Sequence, residues 1–188
     1  METINNLIKA YIGECQARNR YTFYAKIAKK ESFELVSSIF LETAEQEKVH
    51  AKRLFEHIQE LKKEEEINLE VTVPLVYSKT KENLKAAING ENFEHTKMYP
   101  EFADIAEKEG FEKIAKRLRS IAKAEEHHEQ RFQRLLELIE NNKMFKRDEE
   151  QVWICRECGY IHNGIEAPED CPSCDHPRAY YQIQNENY

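Results

Sequence analysis

Four long stretches of the chain place apolar residues at steps of three and four, which is the spacing of one face of an α-helix. The pattern predicts helices over about residues 3–29, 33–63 and 80–108, and a fourth helix that follows Gly110 and ends near Asn142. Short turns join the first helix to the second and the third to the fourth, so each pair forms antiparallel neighbours. These elements predict a mainly α fold built around a four-helix bundle.

The connection between the second and third helices, residues 64–79, breaks the helical period and contains Pro74. We therefore interpret it as extended chain. Fully extended, it would span about 50 Å, whereas a helix of about 30 residues is about 45 Å long. The connection is thus long enough to act as a crossover along the full length of the bundle.

In two of the helices a polar pair interrupts the apolar face near its centre. The inward positions of the fourth helix are Ile114, Leu118, Ile121, Glu125, His128, Phe132, Leu135 and Ile139. In the second helix, Glu47 and His50 interrupt an apolar stripe in the same way. A buried carboxylate is costly unless it is paired or binds a metal. Because a Glu-x-x-His pair lies over one turn, a single cation can bind both side chains.

Inward carboxylates also lie on the other two helices, with Glu14 on the first and Glu91 and Glu94 on the third. Each half of the bundle is thus a helix with an inward glutamate followed by a helix with Glu-x-x-His. This repeat indicates an internal duplication and a pseudo-two-fold axis through the site. Four carboxylates and two histidines are the set that ferritin-like sites use for two iron or manganese ions. Glu94 exceeds that set, and a solvated position at the mouth of the bundle would also account for it.

Several other charged or titratable residues near these positions are expected at the surface rather than in the site. These residues do not lie on the inward faces of the helices, so we expect their side chains to be solvated. They are His57, His95, Glu126, His127 and Glu129.

Four of the five cysteines form two Cys-x-x-Cys pairs near the C-terminus: Cys155, Cys158, Cys171 and Cys174. Pairs at this spacing close tight knuckles that present four thiolates tetrahedrally, which suits zinc or iron. The charged residues 143–151 lack an apolar stripe and are interpreted as a linker without apolar anchors. We therefore predict two domains, residues 1–145 and 146–188. The aromatic residues expected to cover the thiolate-bound metal are Trp153, Tyr160 and Tyr180.

Composition narrows the functional classes. Charged residues make up 34% of the chain and the formal net charge is -7, so nothing supports nucleic-acid binding. No apolar run approaches the length of a membrane span, and the N-terminus lacks the basic and apolar regions of a signal peptide. These features favour a cytoplasmic location. In a reducing compartment, paired cysteines are expected to be metal ligands rather than disulfides.

Motifs spread over nearly the whole chain resemble those of the rubrerythrin family. They are Gly13-Glu14 with Gln16-Ala17-Arg18-Asn19-Arg20-Tyr21, Glu45-Gln46-Glu47-Lys48 with His50, Glu91 with Glu94 and Met98-Tyr99-Pro100, Ala124-Glu125-Glu126 with His128, and the two cysteine pairs. Ferritins lack the rubredoxin-like tail and isolated rubredoxins lack the bundle, so the combination is specific. The resemblance implies a ferritin-like bundle followed by a small rubredoxin-like domain.

The resemblance also implies three iron ions per chain. The residues implied as ligands are Glu14, Glu47, His50, Glu91, Glu94, Glu125 and His128 for two irons, and the four paired cysteines for the third. One iron is expected to move between Glu94 and His50 as the oxidation state changes, and Tyr21 and Tyr99 are expected to bond ligand carboxylates. The implied reaction is the reduction of hydrogen peroxide to water in anaerobic or microaerophilic cells. An external donor such as a rubredoxin or a reductase would supply the electrons.

Other functions stay open at this stage. A ferroxidase or iron-handling protein would use the same bundle site, although iron storage needs no relay of electrons. A binding module with a zinc ribbon would use the same four cysteines, and the red colour of ferric thiolate iron would distinguish the two metals. Dioxygen is an alternative oxidant to peroxide. Because the interpreted linker leads away from the bundle site, we also expect a homodimer or a larger assembly of dimers, with electron transfer mainly between subunits.

Overall fold

The computed structural model describes residues 1–62 and 66–185. The helices are α1 (Glu2–Lys30), α2 (Glu34–Leu61), α3 (Thr80–Phe93), α4 (Tyr99–Lys108) and α5 (Glu112–Glu140), and the strands are β1 (Lys146–Cys155), β2 (Ile161–Glu166) and β3 (Tyr181–Ile183). A helical bundle with a long crossover is followed by a small domain with a three-stranded sheet, which confirms the predicted fold class. The predicted end of the second helix at residue 63 and the start of the connection lie outside the described residues. In the part of the chain that is described, no helix is long and apolar enough to cross a membrane.

The two helical hairpins turn in the same way. After α1, Ser32 adopts a φ of 64° and the Phe33 N–H donates to Ala28 O at 2.9 Å. Between α4 and α5, Gly110 adopts a φ of 87° and the Phe111 N–H donates to Ala106 O at 2.8 Å. A left-handed residue that ends a helix lets the following N–H groups bond its last carbonyls. The matching turns are what a repeated helical pair would produce.

The crossover returns the chain to the end of the bundle where α2 began. Residues 66–79 have no helix or strand, and Tyr24 Oη in α1 donates to Val76 O at 2.6 Å. The Thr80 N–H at the start of α3 donates to Glu31 Oε2, in the turn between α1 and α2, at 3.0 Å. Since α2 ends at the other end of the bundle, the connection spans the bundle as predicted.

The third predicted helix, residues 80–108, is interrupted by one π-helical turn, Glu94–Met98, between α3 and α4. Pro100 explains the interruption, because it has no N–H and its ring would collide with the Thr96 carbonyl in a regular α-helix. The Tyr99 N–H instead bonds to Glu94 O, which is the wider spacing of a π-helix. Such turns are frequent at functional sites, and this one begins at an inward carboxylate.

Two apolar cores lie on either side of a polar layer in the middle of the bundle. One core includes Tyr24, Phe40 and Phe132, and the other includes Leu7 and Leu54. Side chains in the polar layer are therefore shielded from bulk water at both ends. One histidine expected at the surface, His57, is also buried.

The interpretation of residues 143–151 as a linker without apolar anchors is wrong. Met144 is buried in the core of the bundle, and Phe145 stacks on Phe33 with ring centroids 6.5 Å apart. The Phe145 carbonyl also accepts the Ala167 N–H at 2.9 Å, and strand β1 begins at the next residue. The two anchors escaped notice because charged residues surround them and two apolar residues form no periodic stripe.

The small domain lies beside the first turns of α2. Strand β1 pairs antiparallel with β2 on one side and β3 on the other. The 3-10 turn Arg178–Tyr180 contacts α2, and Arg156 and Tyr180 share a surface cavity with Ser37 and Leu41. The four-cysteine end of the chain thus folds back along the bundle. The division into domains at residue 145 stays a prediction.

Candidate metal centres

Carboxylates and imidazoles from α1, α2, α3 and α5 converge at the middle of the bundle in two overlapping groups. The first group is Glu14, Glu47, His50 and Glu125, and the second is Glu47, Glu91, Glu125 and His128. Within each group the candidate ligand atoms lie within 4.8 Å of one another. Glu47 and Glu125 belong to both groups, so each has the position of a carboxylate that bridges two cations.

Each shared carboxylate divides its oxygens between the two histidines. His50 Nδ1 lies 3.0 Å from Glu47 Oε2 and 2.9 Å from Glu125 Oε1. His128 Nδ1 lies 3.1 Å from Glu47 Oε1 and 2.7 Å from Glu125 Oε2. One oxygen of each shared glutamate therefore faces each half of the site, in keeping with a pseudo-two-fold axis.

The polar atoms of this layer are buried and under-satisfied. Each of the four glutamates in the two groups is at most 1% exposed. The atoms without an aligned hydrogen bond include Glu14 Oε2, Glu47 Oε1, Glu91 Oε2, both Glu125 oxygens and His128 Nδ1. Because buried carboxylates without partners are costly, two cations would supply what these atoms lack. The donor set fits a pair of iron ions, since carboxylates can neutralise two cations and each imidazole can serve one metal.

Protons take the place of cations when no metal is bound. Burial, with the carboxylates of Glu125 and Glu47, raises the pKa of Glu14 well above its usual value, and burial and Glu47 raise the pKa of Glu91 to about 8. Burial alone would raise the pKa of Glu47, but hydrogen bonds with both histidines lower it to about 2. Burial would lower the pKa of His128, but the close contacts of its Nδ1 with the Glu125 and Glu47 carboxylates raise it to about 12. The layer therefore attracts positive charge strongly, whether protons or metal cations supply that charge.

Two buried tyrosines donate hydrogen bonds to carboxylates of this layer. Tyr21 Oη on α1 donates to Glu91 Oε1 on α3, and Tyr99 Oη on α4 donates to Glu14 Oε1 on α1. Each phenol thus bonds a carboxylate from the other half of the repeat. Burial and these carboxylates raise the pKa of both phenols well above the usual value. Helical spacing alone did not show which tyrosine meets which glutamate.

Glu94 lies beside the two groups but in neither of them. Its Oε1 is near the backbone of Gly13, where an added Cβ would lie 3.9 Å away. Burial by the surrounding protein and the Glu91 and Glu125 carboxylates raise the pKa of Glu94 well above its usual value. In this structure His50, rather than Glu94, completes the first group. The exchange of an iron between these two side chains stays a prediction.

The expectation that Glu129 is a solvated charge is wrong. Glu129 is buried, and its carboxylate accepts hydrogen bonds from Asn92 Nδ2 at 3.2 and 3.3 Å and from Gln133 Nε2 at 2.7 Å. His95 Nε2, on the π-helical turn, lies 2.5 Å from Glu129 Oε2, so His95 is half-buried rather than at the surface. Glu129 thereby joins the turn that carries Glu94 to α5. Its spacing of four from Glu125 was the signal that could have identified it.

Gln46 contacts one of the two histidines from outside the site. Gln46 Oε1 lies 3.0 Å from His128 Nε2 and accepts a hydrogen bond from it. This bond leaves His128 Nδ1 to face the shared carboxylates. Sequence reasoning missed this contact because Gln46 lies off the apolar stripe of α2. Only its place beside Glu47 could have suggested the role.

The four cysteines Cys155, Cys158, Cys171 and Cys174 converge in the small domain. Sγ distances of 3.8 Å between Cys155 and Cys174 and 3.6 Å between Cys158 and Cys171 are those of separate thiols, since a disulfide bond is about 2.05 Å long. Four sulfurs at this separation suit one tetrahedral metal ion. Trp153 packs against them as expected. Tyr181, which was not expected, is also buried there, whereas Tyr160 is 37% exposed and lies outside this core.

Comparison with known proteins agrees with both centres. The sequence model of the rubrerythrin family matches residues 5–136, and that of the rubrerythrin rubredoxin-like domain matches residues 153–182. The chain is 56% identical to a putative rubrerythrin of Methanocaldococcus jannaschii, over 100% of this chain and 95% of the relative. It is 50% identical to Rubrerythrin-1 of Clostridium acetobutylicum, over 100% of this chain and 96% of the relative. A solved structure of nigerythrin in a partially reduced state is similar, with a TM-score of 0.67, 32% identity, and coverage of 97% of this chain and 86% of that one. The chain therefore belongs to the rubrerythrin family, with a candidate di-iron site of carboxylates and histidines in its bundle and a four-cysteine centre in its rubredoxin-like domain.

Proposed function

We propose that this protein is a peroxidase that reduces hydrogen peroxide to water at the bundle site, with electrons relayed through an iron bound by the four cysteines. The observation that carries the proposal is the presence, in one chain, of two overlapping carboxylate and histidine groups and a separate four-cysteine cluster. When bound, two ferrous ions supply two electrons, the number that H2O2 + 2H+ + 2e- → 2H2O requires. Three iron ions per chain would serve the two centres.

The protein around the bundle site sets the positions of the ligands and limits access of water. Tyr21 and Tyr99 hold Glu91 and Glu14, and the raised pKa of each phenol keeps it protonated at neutral pH. The two apolar cores flank the site along the bundle axis. Interactions with developing charge are stronger in such surroundings than in water, and ligands held in advance need little reorganisation.

A cavity of about 380 Å³ beside Glu94 offers a route for peroxide. It lies between α1, the crossover and the π-helical turn, and its lining includes Gly13, Arg20, Pro74 and Phe93. Gly13 leaves room there, because it has no side chain to contact Glu94. A small polar molecule that enters by this route meets Glu94 before it meets the buried ligands.

Electrons enter this proposed pathway at the small domain. Cys158 is the exposed member of the four cysteines, so its sulfur is the most accessible to an external donor such as a rubredoxin or a reductase. The four cysteines form no disulfide bond, which is compatible with the proposed location in the cytoplasm of an anaerobe or microaerophile.

We also propose a homodimer or a larger assembly of dimers, with electron transfer between subunits. The crossover carries an exposed apolar surface composed of Val71, Val73, Leu75 and Tyr77, which are 39, 52, 85 and 64% exposed. Contiguous exposed apolar residues are typical of a contact surface. A two-fold dimer would bury the same surface of both subunits at once.

The proposal is tested by peroxide turnover of anaerobically purified protein, after its iron content and visible spectrum have been recorded. Cys155→Ser should lose or shift the red chromophore and stop turnover with an external donor. A single round of peroxide reduction by the prereduced variant should survive, because the bundle site holds both electrons. Loss of that round in a variant with intact bundle iron would refute the division of roles. Oxidation and retention of added ferrous iron, without peroxide turnover, would favour a ferroxidase.

Glu47→Ala tests the bundle site separately. We expect loss of bundle iron and of peroxide reduction, with the thiolate iron unchanged, because Glu47 belongs to both metal groups. Glu45→Ala is the matched control, since Glu45 lies in the same helix but is exposed and paired with Lys48 at 2.8 Å. Two bundle irons and full turnover in Glu47→Ala would show that the ligand assignment is wrong.

A further inference from the structure

Within the described part of the chain, the Tyr181 hydroxyl is buried beside cysteines of the four-cysteine centre and has no aligned nitrogen or oxygen partner. Tyr181 is 0% exposed, and it lies directly across from Cys155 in the pairing of β1 with β3. Among the described residues, no group forms a geometrically aligned hydrogen bond with its Oη. Leaving a buried hydroxyl unpaired costs about 1–3 kcal/mol. A phenylalanine would fill the same space without that cost, so the hydroxyl calls for an acceptor.

Two of the four cysteines lie in the same buried cluster as Tyr181. Tyr181 packs in one buried cluster with Trp153, Cys155, Ala167 and Cys171. Its hydroxyl interacts with the Cys171 thiol: burial and this interaction raise the pKa of Tyr181. Sulfur is a weaker and more diffuse hydrogen-bond acceptor than oxygen, so a phenol can lie against it without the alignment of an ordinary hydrogen bond.

The backbone donors in the two knuckles show what the hydroxyl adds. The Cys155 sulfur receives backbone N–H groups from Glu157 and Cys158. The Cys171 sulfur receives the N–H of Ser173 and also interacts with the side chains of Tyr181, Cys174 and Cys158. Cys155 and Cys171 are the first cysteines of their pairs, and of these two sulfurs it is Cys171 that interacts with the Tyr181 hydroxyl.

We propose that Tyr181 Oη donates a hydrogen bond to Cys171 Sγ and thereby raises the reduction potential of the iron at the four-cysteine centre. A donor withdraws negative charge from a thiolate ligand. The ferrous centre carries one more negative charge than the ferric centre, so the donor stabilises the ferrous form more. Hydrogen bonds to the sulfurs are a recognised determinant of such potentials. Tyr181 is therefore a positioning and tuning residue rather than a ligand.

The test compares Tyr181→Phe with wild type by spectroelectrochemical titration of the thiolate iron. We expect the variant to have a lower potential, by roughly threefold to tenfold in the reduction equilibrium constant, or about 28 to 59 mV for a one-electron couple. Its sulfur-to-iron charge-transfer bands should move to lower energy, because the sulfur lone pairs are less stabilised. Tyr180→Phe is the matched control, since Tyr180 is the adjacent tyrosine, only partly buried at the edge of the same cluster and packed on His176. An unchanged potential in Tyr181→Phe would overturn the proposal.

A second variant separates hydrogen bonding from packing. Replacement of Tyr181 by 3-fluorotyrosine keeps the ring and makes the phenol a stronger donor, so the potential should rise above that of wild type. A fall in both variants would show that packing, and not donation, sets the potential, and would overturn the proposal. The inference rests on the proposed iron content of the four-cysteine centre. Iron analysis and the red colour of the wild-type protein test that content separately from the potentials.

Discussion

The carboxylate oxygens of Glu47 and Glu125 follow the pseudo-two-fold symmetry of the bundle site. Each directs one carboxylate oxygen to His50 and the other to His128. A glutamine at either position would present an amide N–H to one of the two proposed cations and would carry no charge to neutralise it. Because each side chain must present an oxygen to both halves of the site, carboxylates suit these two positions better than neutral acceptors do.

The tyrosine hydroxyls lead to a prediction about metal affinity. Tyr99→Phe removes the donor to Glu14, and loss of such outer partners typically weakens metal binding about 10- to 100-fold. Tyr24→Phe is the matched control, because Tyr24 is equally buried but donates to the Val76 carbonyl. Competition with a chelator measures the affinity of the bundle site. Equal affinity in the two variants would show that the Tyr99 hydroxyl does not support the site.

Metal removal should change how stability depends on pH. Without metal, burial and the Glu47 carboxylate raise the pKa of Glu91 from 4.5 to about 8. Burial would lower the pKa of His50, but hydrogen bonds with Glu125 and Glu47 raise it from 6.5 to about 9. Both groups bind their protons more tightly when folded. Their stabilisation is therefore present below the unfolded pKa values and is lost as the pH rises through about 8 and about 9.

We thus expect metal-free protein to be less stable at pH 9 than at pH 6, by up to about 1.4 kcal/mol per pH unit for each group. Thermal unfolding after chelation of the metals measures the effect. Iron-loaded protein is the control, because cations displace these protons and metal binding strengthens as the pH rises. A metal-free protein that melts at a higher temperature at pH 9 than at pH 6 would contradict the assignment.

At the scale of elements, the π-helical turn between α3 and α4 decides where Tyr99 lies relative to Glu91 and Glu94. Pro100 accounts for the wider turn, and Glu129 on α5 receives hydrogen bonds from residues on either side of Glu94. The Glu94 N–H keeps a regular bond to Gly90 O, so an α-helix without the extra residue would instead rotate Tyr99, the donor to Glu14, relative to Glu91 and Glu94. The turn is therefore held both from within its own helix and from the helix that carries His128.

Glu129→Ala tests this support. The change leaves Asn92, His95 and Gln133 without their shared acceptor, so the turn should relax and bundle metal affinity should fall by about 10-fold or more. Metal-free protein should also lose about 1–3 kcal/mol of stability. Glu126→Ala, an exposed position of the same helix, should change neither quantity. Chelator competition and thermal unfolding supply the two measurements, and an unchanged affinity in Glu129→Ala would exclude the role.

At the scale of the whole molecule, the small domain is anchored to its own bundle. Met144 and Phe145 pack in the bundle core, and the 3-10 turn Arg178–Tyr180 contacts α2. The small domain is therefore packed against the bundle and is not connected to it only by a charged linker. A route for electrons within one chain is a rival to the proposed route between subunits, and an experiment on mixed subunits separates them.

Two inactive variants, Cys155→Ser and Glu47→Ala, provide that experiment. Mixed under conditions that exchange subunits, they should form hybrids in which one intact four-cysteine centre faces one intact bundle site of a different chain. Donor-linked peroxide turnover should then return to a substantial fraction of the wild-type rate. Mass spectrometry of intact complexes shows whether exchange has occurred. Demonstrated exchange without recovered activity would place the relay within a single chain.

Much of this architecture can be predicted from sequence because its determinants are local. Helical period, the Glu-x-x-His spacing and the two cysteine pairs predicted the bundle, its crossover and both candidate centres. Where a local signal was weak, prediction failed: Met144 and Phe145 form no stripe, and Glu129 lies among charged neighbours. Period alone also did not show the π-helical turn, because adjacent apolar residues after it, such as Phe102 and Ala103, fit a stripe in either phase.

The sequence by itself therefore determined which elements form and which residue types face inward, because backbone geometry repeats every few residues. Only the tertiary structure decided which side chains meet. Tyr21 bonds Glu91, Tyr99 bonds Glu14, and the Tyr181 hydroxyl lies against sulfur. The physical reason is that these contacts depend on the relative rotation and offset of packed elements. Those quantities are set by side-chain interdigitation across the whole core and not by any one segment.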